Sequence, residues 1–402
     1  MVCIVLGFCS SSKSLYISAI TEALNISRGA FSINDSCRYI TTAVVNLFFG
    51  ALIVKSGERK LIALGFSCLI TSMLIYSFAE NIFLFYLGGV FLGAGLSWTT
   101  TTMVGYIVNK WCRKNKGTIM GAVLAANGFG AAVAMQVVSP MIYREGDAFG
   151  YRTAYRFVAL LLLITAVIVL AFLKEKQIIP QSINEGKQKK GTSWAGIPFS
   201  EAIHKPEFYL AVVCIFLTGM VLQGITGVAA PRFTDVGLSP AFVASVMSVH
   251  AIALSCCKFV TGFLYDRLGI RVTSTVCMVA AMVSILLLVW VSDTEGGRAL
   301  SWIYSVLSSL ALPLETVMLP IYAADLFGEA SYNKILGIFV SVNTAGYAVG
   351  TPLVNVCYDL TGDYEIAFYI AGGIMALVLF GMHFVIKKAD KLKILQMRNG
   401  VN

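Results

Sequence analysis

Four ionisable side chains interrupt long apolar stretches of this sequence, and they are the first candidates for chemistry. Lys13 follows the serine run in GFCSSSKSLYIS, and Lys258 and Glu315 lie in two later stretches. His250 lies two helical turns before Lys258. An ionisable group in apolar surroundings is costly unless it is paired or binds a ligand. The two lysines can receive a carboxylate, whereas Glu315 and His250 can carry a proton.

Each lysine also has an alternative partner within the protein. Lys13 has no acidic residue close to it in its own predicted helix, so a bound anion or an acid from another helix must balance it. An anion is the favoured partner, and Glu315 is the first remote acid to consider. Lys258 and Glu315 are predicted at similar depths and can form a buried ion pair. The sequence leaves these alternatives open.

Two further ionisable groups, Asp35 and Arg38, favour a structural role, and so does His250. Asp35 and Arg38 are three residues apart, which places them on one face of a helix and predicts an ion pair. His250 stands alone on an apolar helix, so a hydrogen-bonded packing role is favoured over proton transfer. The cysteines have no metal-ligand spacing, and we expect neither a metal nor a cofactor.

The composition places all these residues in a membrane protein. Of 402 residues, 57% are hydrophobic and only 13% are charged, and the mean hydropathy is +0.79. A hydrocarbon core about 30 Å thick takes roughly 20 helical residues to cross, and lipid offers the backbone no hydrogen-bond partners. We therefore expect an all-α membrane protein. Twelve stretches are long enough to span: Met1–Leu24, Phe31–Val54, Leu61–Ala79, Ile82–Asn109, Gly117–Met141, Tyr155–Leu173, Pro206–Ala229, Pro240–Tyr265, Val272–Ser292, Leu300–Ala324, Asn333–Val356 and Glu365–Lys387.

The basic residues are distributed unevenly among the predicted loops. Most of the 30 Lys and Arg residues fall on the side that contains Lys55, Lys110 and Lys174, and short cytoplasmic loops collect such residues. This predicts a multi-pass protein of the plasma (inner) membrane with both termini in the cytoplasm. The net charge of +9 then reflects orientation toward anionic lipid, so nucleic acid is not an expected partner. A first span that starts at Met1 without a polar lead leaves open the loss of a few N-terminal residues.

The predicted spans fall into two groups of six. Residues 174–205 form the longest polar stretch and predict a basic cytoplasmic linker. It divides an N-terminal bundle, residues 1–173, from a C-terminal bundle, residues 206–387, which a cytoplasmic tail of residues 388–402 follows. One chain with two bundles needs no second copy to form a site, so a functional monomer is expected.

The two groups repeat each other at a nearly constant offset. GALIVKSGER begins at Gly50 and GFLYDRLGIR at Gly262, 212 residues apart. In the fifth and eleventh spans, Gly130 matches Gly346 at an offset of 216, together with three neighbouring positions. Matches that recur in the same order predict two pseudo-symmetric six-helix bundles.

The repeated pattern G-x-L-x-D-R-x-G-x-R resembles the signature of the major facilitator superfamily, and the resemblance covers the whole chain. It implies two bundles that rock about a substrate site near the membrane midplane. Its glycines permit close helix approach and a tight turn, and its charges can hold the cytoplasmic side shut. The first copy has Val54 and Lys55 where the second has Asp266 and Arg267, so its contribution is weaker. The candidate gating residues are Gly50, Lys55, Gly57, Arg59, Gly262, Asp266, Arg267, Gly269 and Arg271.

A narrower resemblance concerns the lysines. KSLYI after a small-residue run, followed by NISR at residues 25–28, is similar to the first-helix region of the monocarboxylate transporter family, where a lysine helps to receive the substrate carboxylate. Lys258 falls where that family and its oxalate:formate antiporter relatives carry an intramembrane arginine. The resemblance thus makes Lys13 and Lys258 substrate-binding candidates, with Tyr16 and Asn343 as added hydrogen-bonding groups.

The departures from that family concern coupling. Leu254 stands where monocarboxylate transporters often have an aspartate tied to proton coupling, and their acidic first-helix motif is missing. Lysine is also a point charge without the two-pronged geometry of arginine. The substrate class therefore transfers better than the coupling mechanism.

The expected function is secondary transport of a small organic monoanion such as lactate, pyruvate, formate or acetate, with Glu315 or His250 as candidates for a coupled proton. One alternative is an organic anion exchanger of the oxalate:formate type without proton coupling. Another is a membrane sensor that keeps the fold without transport. The sequence has no catalytic triad, phosphate loop or nucleotide fingerprint, so an enzyme is not expected.

Overall fold

The structure is a computed structural model that describes residues 2–10, 12–99, 103–104, 107, 116–144, 147–172, 196–328 and 332–399. Every regular element within these residues is helical. The helices are α1 (Val2–Ser10), α2 (Lys13–Leu24), α3 (Arg28–Ser56), α4 (Glu58–Phe78), α5 (Ile82–Thr99), α6 (Lys116–Ile142), α7 (Gly150–Phe172), α8 (Phe199–Ala202), α9 (Pro206–Asp235), α10 (Pro240–Trp290), α11 (Glu295–Ala311), the 3₁₀ turn η1 (Leu312–Glu315), α12 (Met318–Phe327), α13 (Tyr332–Thr361) and α14 (Glu365–Asn399).

The helices confirm the predicted all-α membrane fold. In the described part of the chain, eight helices are long and apolar enough to cross a membrane, or nine if the bent pair Glu295–Glu315 and Met318–Phe327 is one span. The segment α10 is divided by a kink at Gly269, and its two parts correspond to the predicted eighth and ninth spans. Helices α3 and α6 cover the predicted second and fifth. Each of the twelve predicted spans thus overlaps a helix.

The first predicted span is confirmed as one candidate span, Ile4–Leu24, which consists of helices α1 and α2. The Ser10 hydroxyl donates to the carbonyl of Leu6 at 2.9 Å, and the Ser12 hydroxyl donates to that of Phe8 at 2.7 Å. Lys13 is the first residue of α2 and lies near the middle of this span.

The tenth predicted span is also interrupted. Pro313 lies in the 3₁₀ turn Leu312–Glu315, where it cannot donate a helix hydrogen bond. The axis bends by 45° between the helices on either side. Glu315 closes this turn, so its carboxyl group lies at a break in the helix.

The two copies of the repeated motif have the same turn. Gly57 has φ 76° and ψ 162°, and Gly269 has φ 77° and ψ 175°. These positive φ values favour glycine, and the match at an offset of 212 residues confirms the predicted tight turns. The expectation of close packing at Gly262 is wrong in this structure, because a Cβ there meets nothing within 4 Å. The surroundings of Gly50 and of the Val54 side chain lie outside the described residues.

Glycines of the fifth and eleventh spans confirm the repeat in their packing. A Cβ on Gly130 would lie 2.0 Å from the carbonyl oxygen of Ile4 in α1, and one on Gly346 would lie 2.4 Å from that of Phe216 in α9. Ile4 and Phe216 are themselves 212 residues apart. Equivalent glycines therefore let equivalent helices approach in the two halves.

We refer to helices α1–α7 as the N-terminal half and to α8–α14 as the C-terminal half. Most of the predicted linker, residues 174–195 of 174–205, lies outside the described residues, as does Lys110. Helix α14 continues past Lys387 to Asn399, so the first part of the predicted tail extends the last span as helix.

The halves are joined through helices α3 with α13, α6 with α10, and α2 with α9. In α3, the described hydrogen bonds to the other half come from residues 28–39, and none comes from the side chains described in residues 40–56. We call the end of the molecule where α3 begins the Arg28 end, and the end where α3 finishes the Lys55 end. Side-chain hydrogen bonds hold the halves together toward the Arg28 end.

Candidate functional site

A cavity of about 440 Å³ lies between the two halves. Helices from both halves line it, with Lys13, Arg38 and Asn127 on one side and Gln223, His250 and Lys258 on the other. Three of these side chains are cations, and no carboxylate is found among its described lining residues. The cavity is therefore suited to an anion.

Lys13 is paired with an acid that the sequence did not single out for it. Its Nζ donates to Asp35 Oδ2 at 2.7 Å, so its remote acid is Asp35 and not Glu315. The predicted pair of Asp35 and Arg38 is confirmed, with 3.5 Å between Asp35 Oδ1 and Arg38 Nη2. Two cations thus share one carboxylate, which leaves this cluster with a net positive charge beside the cavity.

Tyr39 connects that cluster to the opposite half. Its ring lies 4.2 Å from the Arg38 guanidinium carbon and 5.4 Å from Lys13 Nζ, close enough for cation–π attraction. Its hydroxyl donates to Gln223 Oε1 at 3.1 Å, and Gln223 Nε2 donates to Glu315 Oε2 at 2.9 Å. Tyr39 and Gln223 both line the cavity.

Lys258 lines the cavity without a direct partner. Its charge interacts with that of Glu315, but no ion pair or hydrogen bond of Lys258 occurs within the described part of the chain. The predicted contact pair of Lys258 and Glu315 is therefore not formed. A half-buried ammonium group that faces a cavity is the most direct point of attachment for an anion.

Glu315 lies behind the cavity wall. It is 5% exposed, and its Oε1 accepts no hydrogen bond from the described residues. The Tyr347 hydroxyl faces the same carboxyl group, and Tyr347 in turn accepts a hydrogen bond of 2.6 Å from Asn343 Nδ2. Glu315 is therefore connected to the cavity through the neighbouring side chains and does not line it directly.

His250 has the structural role that its sequence context favours. Its Nδ1 lies within 3.1 Å of the Ser305 carbonyl and of the Ser308 and Ser309 hydroxyls, all on α11. The side chain is buried while it contributes to the cavity wall. These contacts tie α10 to α11.

The structure does not bring Tyr16 and Asn343 into the cavity. Tyr16 is 2% exposed and stacks on Tyr155 with 4.3 Å between ring centroids. It lines a separate pocket of about 30 Å³ beside Lys13. Asn343 is also 2% exposed and contacts Tyr347. Both expectations of direct hydrogen bonds to a ligand in the cavity are corrected for this arrangement.

Within the described part of the chain, the charges of the repeated motif make no bond between the two halves. Arg59 donates to the Leu170 carbonyl at 3.0 Å, and Arg271 donates to Asp390 at 3.1 Å, in each case within one half. Arg267 lies 4.9 Å from the Phe263 ring. Asp266 has no ion pair among the described residues, and Lys55 is exposed.

The Arg28 end is instead closed by a cluster that the sequence analysis missed. The Arg28 guanidinium donates to both carboxylate oxygens of Asp235, at 2.5 and 2.7 Å. The Asp359 carboxylate accepts from the backbone amides of Arg28 and Gly29 at 3.0 and 2.7 Å. Arg28 precedes the predicted second span, Phe31–Val54, but it is the first residue of helix α3.

Gln223 was also missed, although an available signal existed. An uncharged amide within an apolar span still needs hydrogen-bond partners. Tyr39 was missed as well. Its signal was its position directly after the intramembrane Arg38, because aromatic rings often lie against buried guanidinium groups.

Two halves that repeat each other's turns and helix contacts, with a polar cavity between them, define a membrane transporter. The family model described as Major Facilitator Superfamily matches residues 1–313 and 225–398, and the chain belongs to this family. The resemblance read from the repeated motif is thereby confirmed.

The relatives carry different substrate names. Multidrug resistance protein 2 of Bacillus subtilis (strain 168) is 22% identical over 352 residues, which cover 87% of this chain and 84% of the relative. Monocarboxylate transporter 13 of Bos taurus is 24% identical over 330 residues, which cover 81% and 73%. The crystal structure of the nucleoside transporter NupG is 15% identical with a TM-score of 0.77, covering 96% of this chain and 97% of that chain. These likenesses define the fold but not the substrate, which depends on the residues that line the cavity.

Proposed function

We propose that the protein is a secondary active transporter that moves a small organic monoanion, such as lactate, pyruvate, formate or acetate, by alternating access. The observation that carries this proposal is the cavity between the halves, lined by Lys13, Arg38 and Lys258 and by no described carboxylate. The similarity to a protein named monocarboxylate transporter 13 supports the same substrate class.

The charge balance around the cavity supports a substrate with a single negative charge. Lys13, Arg38 and Lys258 supply three positive charges, and the nearby Asp35 and Glu315 supply two negative ones when both are ionised. One positive charge is left for the ligand to neutralise. When Glu315 takes up a proton, the surplus rises and anion binding strengthens, which favours symport of the anion with a proton.

Each lysine has a distinct role in this proposal. Lys258 has no contact partner to give up, so it receives the substrate carboxylate first. Lys13 keeps its pair with Asp35 and adds a positive potential from the opposite wall. Binding between the halves relieves the unpaired cation and lets the cavity change the side to which it opens.

The remaining assignments follow the charge distribution of the sequence. We place both termini on the cytoplasmic side of the plasma membrane. We also take residues 1–173 and 206–387 as the two bodies that rock against each other, with residues 174–205 between them.

The decisive experiment is uptake of radiolabelled formate, acetate, lactate and pyruvate into proteoliposomes, with and without an imposed pH gradient. We expect Lys258→Ala and Lys13→Ala to lower uptake at least about tenfold, the loss that corresponds to 1.4 kcal/mol of anion binding. Lys334→Ala is the matched control, because Lys334 is exposed and stacks near Phe199, away from the cavity.

The alternatives give different outcomes in the same assay. Uptake that requires counter-substrate inside the vesicle and ignores the pH gradient indicates an exchanger. Saturable binding without uptake indicates a sensor. Unchanged uptake in both lysine variants means that the anion site is wrong.

A further inference from the structure

A chain of hydrogen bonds crosses the cavity wall from one half to the other. It runs from the Tyr39 hydroxyl on α3 through the Gln223 carboxamide on α9 to the Glu315 carboxyl group in η1, with lengths of 3.1 and 2.9 Å. The Gln223 backbone is fixed as well, because its carbonyl accepts from the Thr351 hydroxyl at 3.2 Å. Gln223 is thus the link between a buried acid and a residue that faces the cavity.

The direction of this chain follows from the chemistry of the groups. An ionised carboxylate can only accept hydrogen bonds, so the Gln223 amide must turn its NH₂ group toward Glu315. Its carbonyl oxygen is then turned toward Tyr39 and accepts the phenolic hydrogen. In this state Tyr39 has no hydrogen left to donate to a ligand in the cavity.

Protonation of Glu315 permits the reversed chain. One proton from the solution binds a carboxylate oxygen, and the resulting O–H becomes a donor. If the Gln223 amide turns over, its oxygen accepts from Glu315 and its NH₂ group donates to the Tyr39 oxygen. No covalent bond changes apart from the new O–H, and the phenolic hydrogen of Tyr39 becomes free to point into the cavity.

We propose that Gln223 is a positioning residue that passes the protonation state of Glu315 to Tyr39, so that proton uptake turns Tyr39 into a hydrogen-bond donor for the substrate carboxylate. This inference rests on the proposed transport of a monoanion. It gives symport a route that does not depend on direct contact between the proton-carrying acid and the substrate.

Other charged and titratable groups face the same chain. Lys258 on α10 and Tyr347 on α13 face Glu315, while Lys13 and Arg38 face the Tyr39 ring. These groups also respond to a proton on Glu315 through the electric field. A change at Gln223 that alters no charge therefore separates the hydrogen-bond route from the field.

Gln223→Leu is such a change, and Gln136→Leu is its matched control. Gln136 also bridges the halves, donating to Ser245 and Ser248 at 3.2 and 3.3 Å, but it has no bond to Glu315. We expect wild type and Gln136→Leu to bind labelled monocarboxylate more tightly in acid than in alkali. In Gln223→Leu and in Tyr39→Phe, the increase in affinity from alkali to acid should be roughly tenfold smaller than in the wild type. This is the contribution expected of one hydrogen bond to a charged group. The double variant should lose no more than either single one.

A second measurement needs no substrate. Infrared spectroscopy of the purified protein resolves the C=O stretch of protonated Glu315 as the band that Glu315→Gln removes. We expect Tyr39→Phe to shift this band in the wild-type background and to leave it unmoved in Gln223→Leu.

The outcomes separate the two proposals. If the wild type moves no monocarboxylate, the transport proposal fails, and the infrared result alone decides whether the chain couples Glu315 to Tyr39. If uptake is normal and Gln223→Leu keeps the full acid-dependent gain, the inference about Gln223 is wrong while the anion function stands.

Discussion

The Asp35 carboxylate balances the charges of both Lys13 and Arg38. The three side chains therefore contribute unequally to stability. Its carboxylate lies 2.7 Å from Lys13 Nζ and 3.5 Å from an Arg38 nitrogen. Without Lys13, Asp35 and Arg38 remain as a neutral pair. Without the carboxylate, two positive charges face each other with little solvent, because the Arg38 side chain is only 6% exposed.

This asymmetry predicts the order of stability among three variants. We expect Asp35→Asn to lower the free energy of unfolding by about 3 kcal/mol, as the loss of one member of a buried pair does. Lys13→Ala should cost about 1 kcal/mol, the usual worth of one hydrogen bond. Adding Lys13→Ala to Asp35→Asn should recover part of the loss, because it removes the repulsion. Thermal unfolding in detergent measures all three.

Lys205→Ala is the control for that series. It breaks an ion pair to Glu201 of 2.8 Å whose acid is 53% exposed, and exposed pairs contribute less than about 1 kcal/mol. If Lys13→Ala is as damaging as Asp35→Asn, then Lys13 is a structural residue and its role as a substrate group is weakened.

The intramembrane charges and the pair of Asp35 with Arg38 could be found from the sequence, but the acid that pairs with Lys13 could not. Lys13 and Asp35 stand out because any charge in an apolar span is costly. Their contact depends on how α2 is turned relative to α3, and apolar length does not specify that rotation. The same limit applies to Gln223, whose two partners come from helices far apart in the sequence.

At the scale of helices, the spans and their repeat were predictable from apolar length and glycine spacing. Apolar length locates a span whether or not its axis bends, so the bend at Glu315 leaves the hydropathy unchanged. Pro313 is the residue in the sequence that signals this bend. The match of Gly130 with Gly346 predicted equivalent helix contacts correctly, because helices that cross closely require a small residue at the crossing point.

The equivalent glycines give a test at this scale. Gly130→Ala and Gly346→Ala each place a Cβ within 2.4 Å of a backbone carbonyl oxygen of the neighbouring helix, so we expect each to cost about 1–3 kcal/mol of stability. Gly337→Ala lies on the same helix as Gly346 but meets nothing within 4 Å, and it should be neutral. Folded yield after solubilisation, read by size-exclusion chromatography, distinguishes them. Equal yields for Gly346→Ala and Gly337→Ala contradict the packing argument.

At the scale of the whole molecule, the described side chains hold the two halves together at the Arg28 end and not at the Lys55 end. The paired arginine and aspartates at the Arg28 end fix that side shut, while the motif charges at the Lys55 end bond within their own halves. Under the proposed alternating access, opening the other way must break the first set. We therefore expect the Arg28 cluster to set part of the free-energy difference between the two states.

Charge reversal at this cluster tests that conclusion. Arg28→Asp brings three carboxylates together, because Asp235 and Asp359 already lie there, so we expect the Arg28 end to open more often. The reporter is Thr226→Cys, since Thr226 lines the cavity, and its labelling by a membrane-impermeant thiol reagent applied from the Arg28 side is compared with the same protein lacking that cysteine. Labelling should become at least about tenfold faster, which corresponds to a shift of 1.4 kcal/mol.

The reciprocal change supplies the control for that experiment. In Arg28→Asp with Asp235→Arg the two charges exchange places, so the pair can form again and slow labelling should return. The double variant and the protein that carries Thr226→Cys alone have the same reporter cysteine and the same net charge, so restored slow labelling reports the restored pair. An unchanged rate in Arg28→Asp, or a fast rate that persists in the double variant, means that the pair does not hold this end closed.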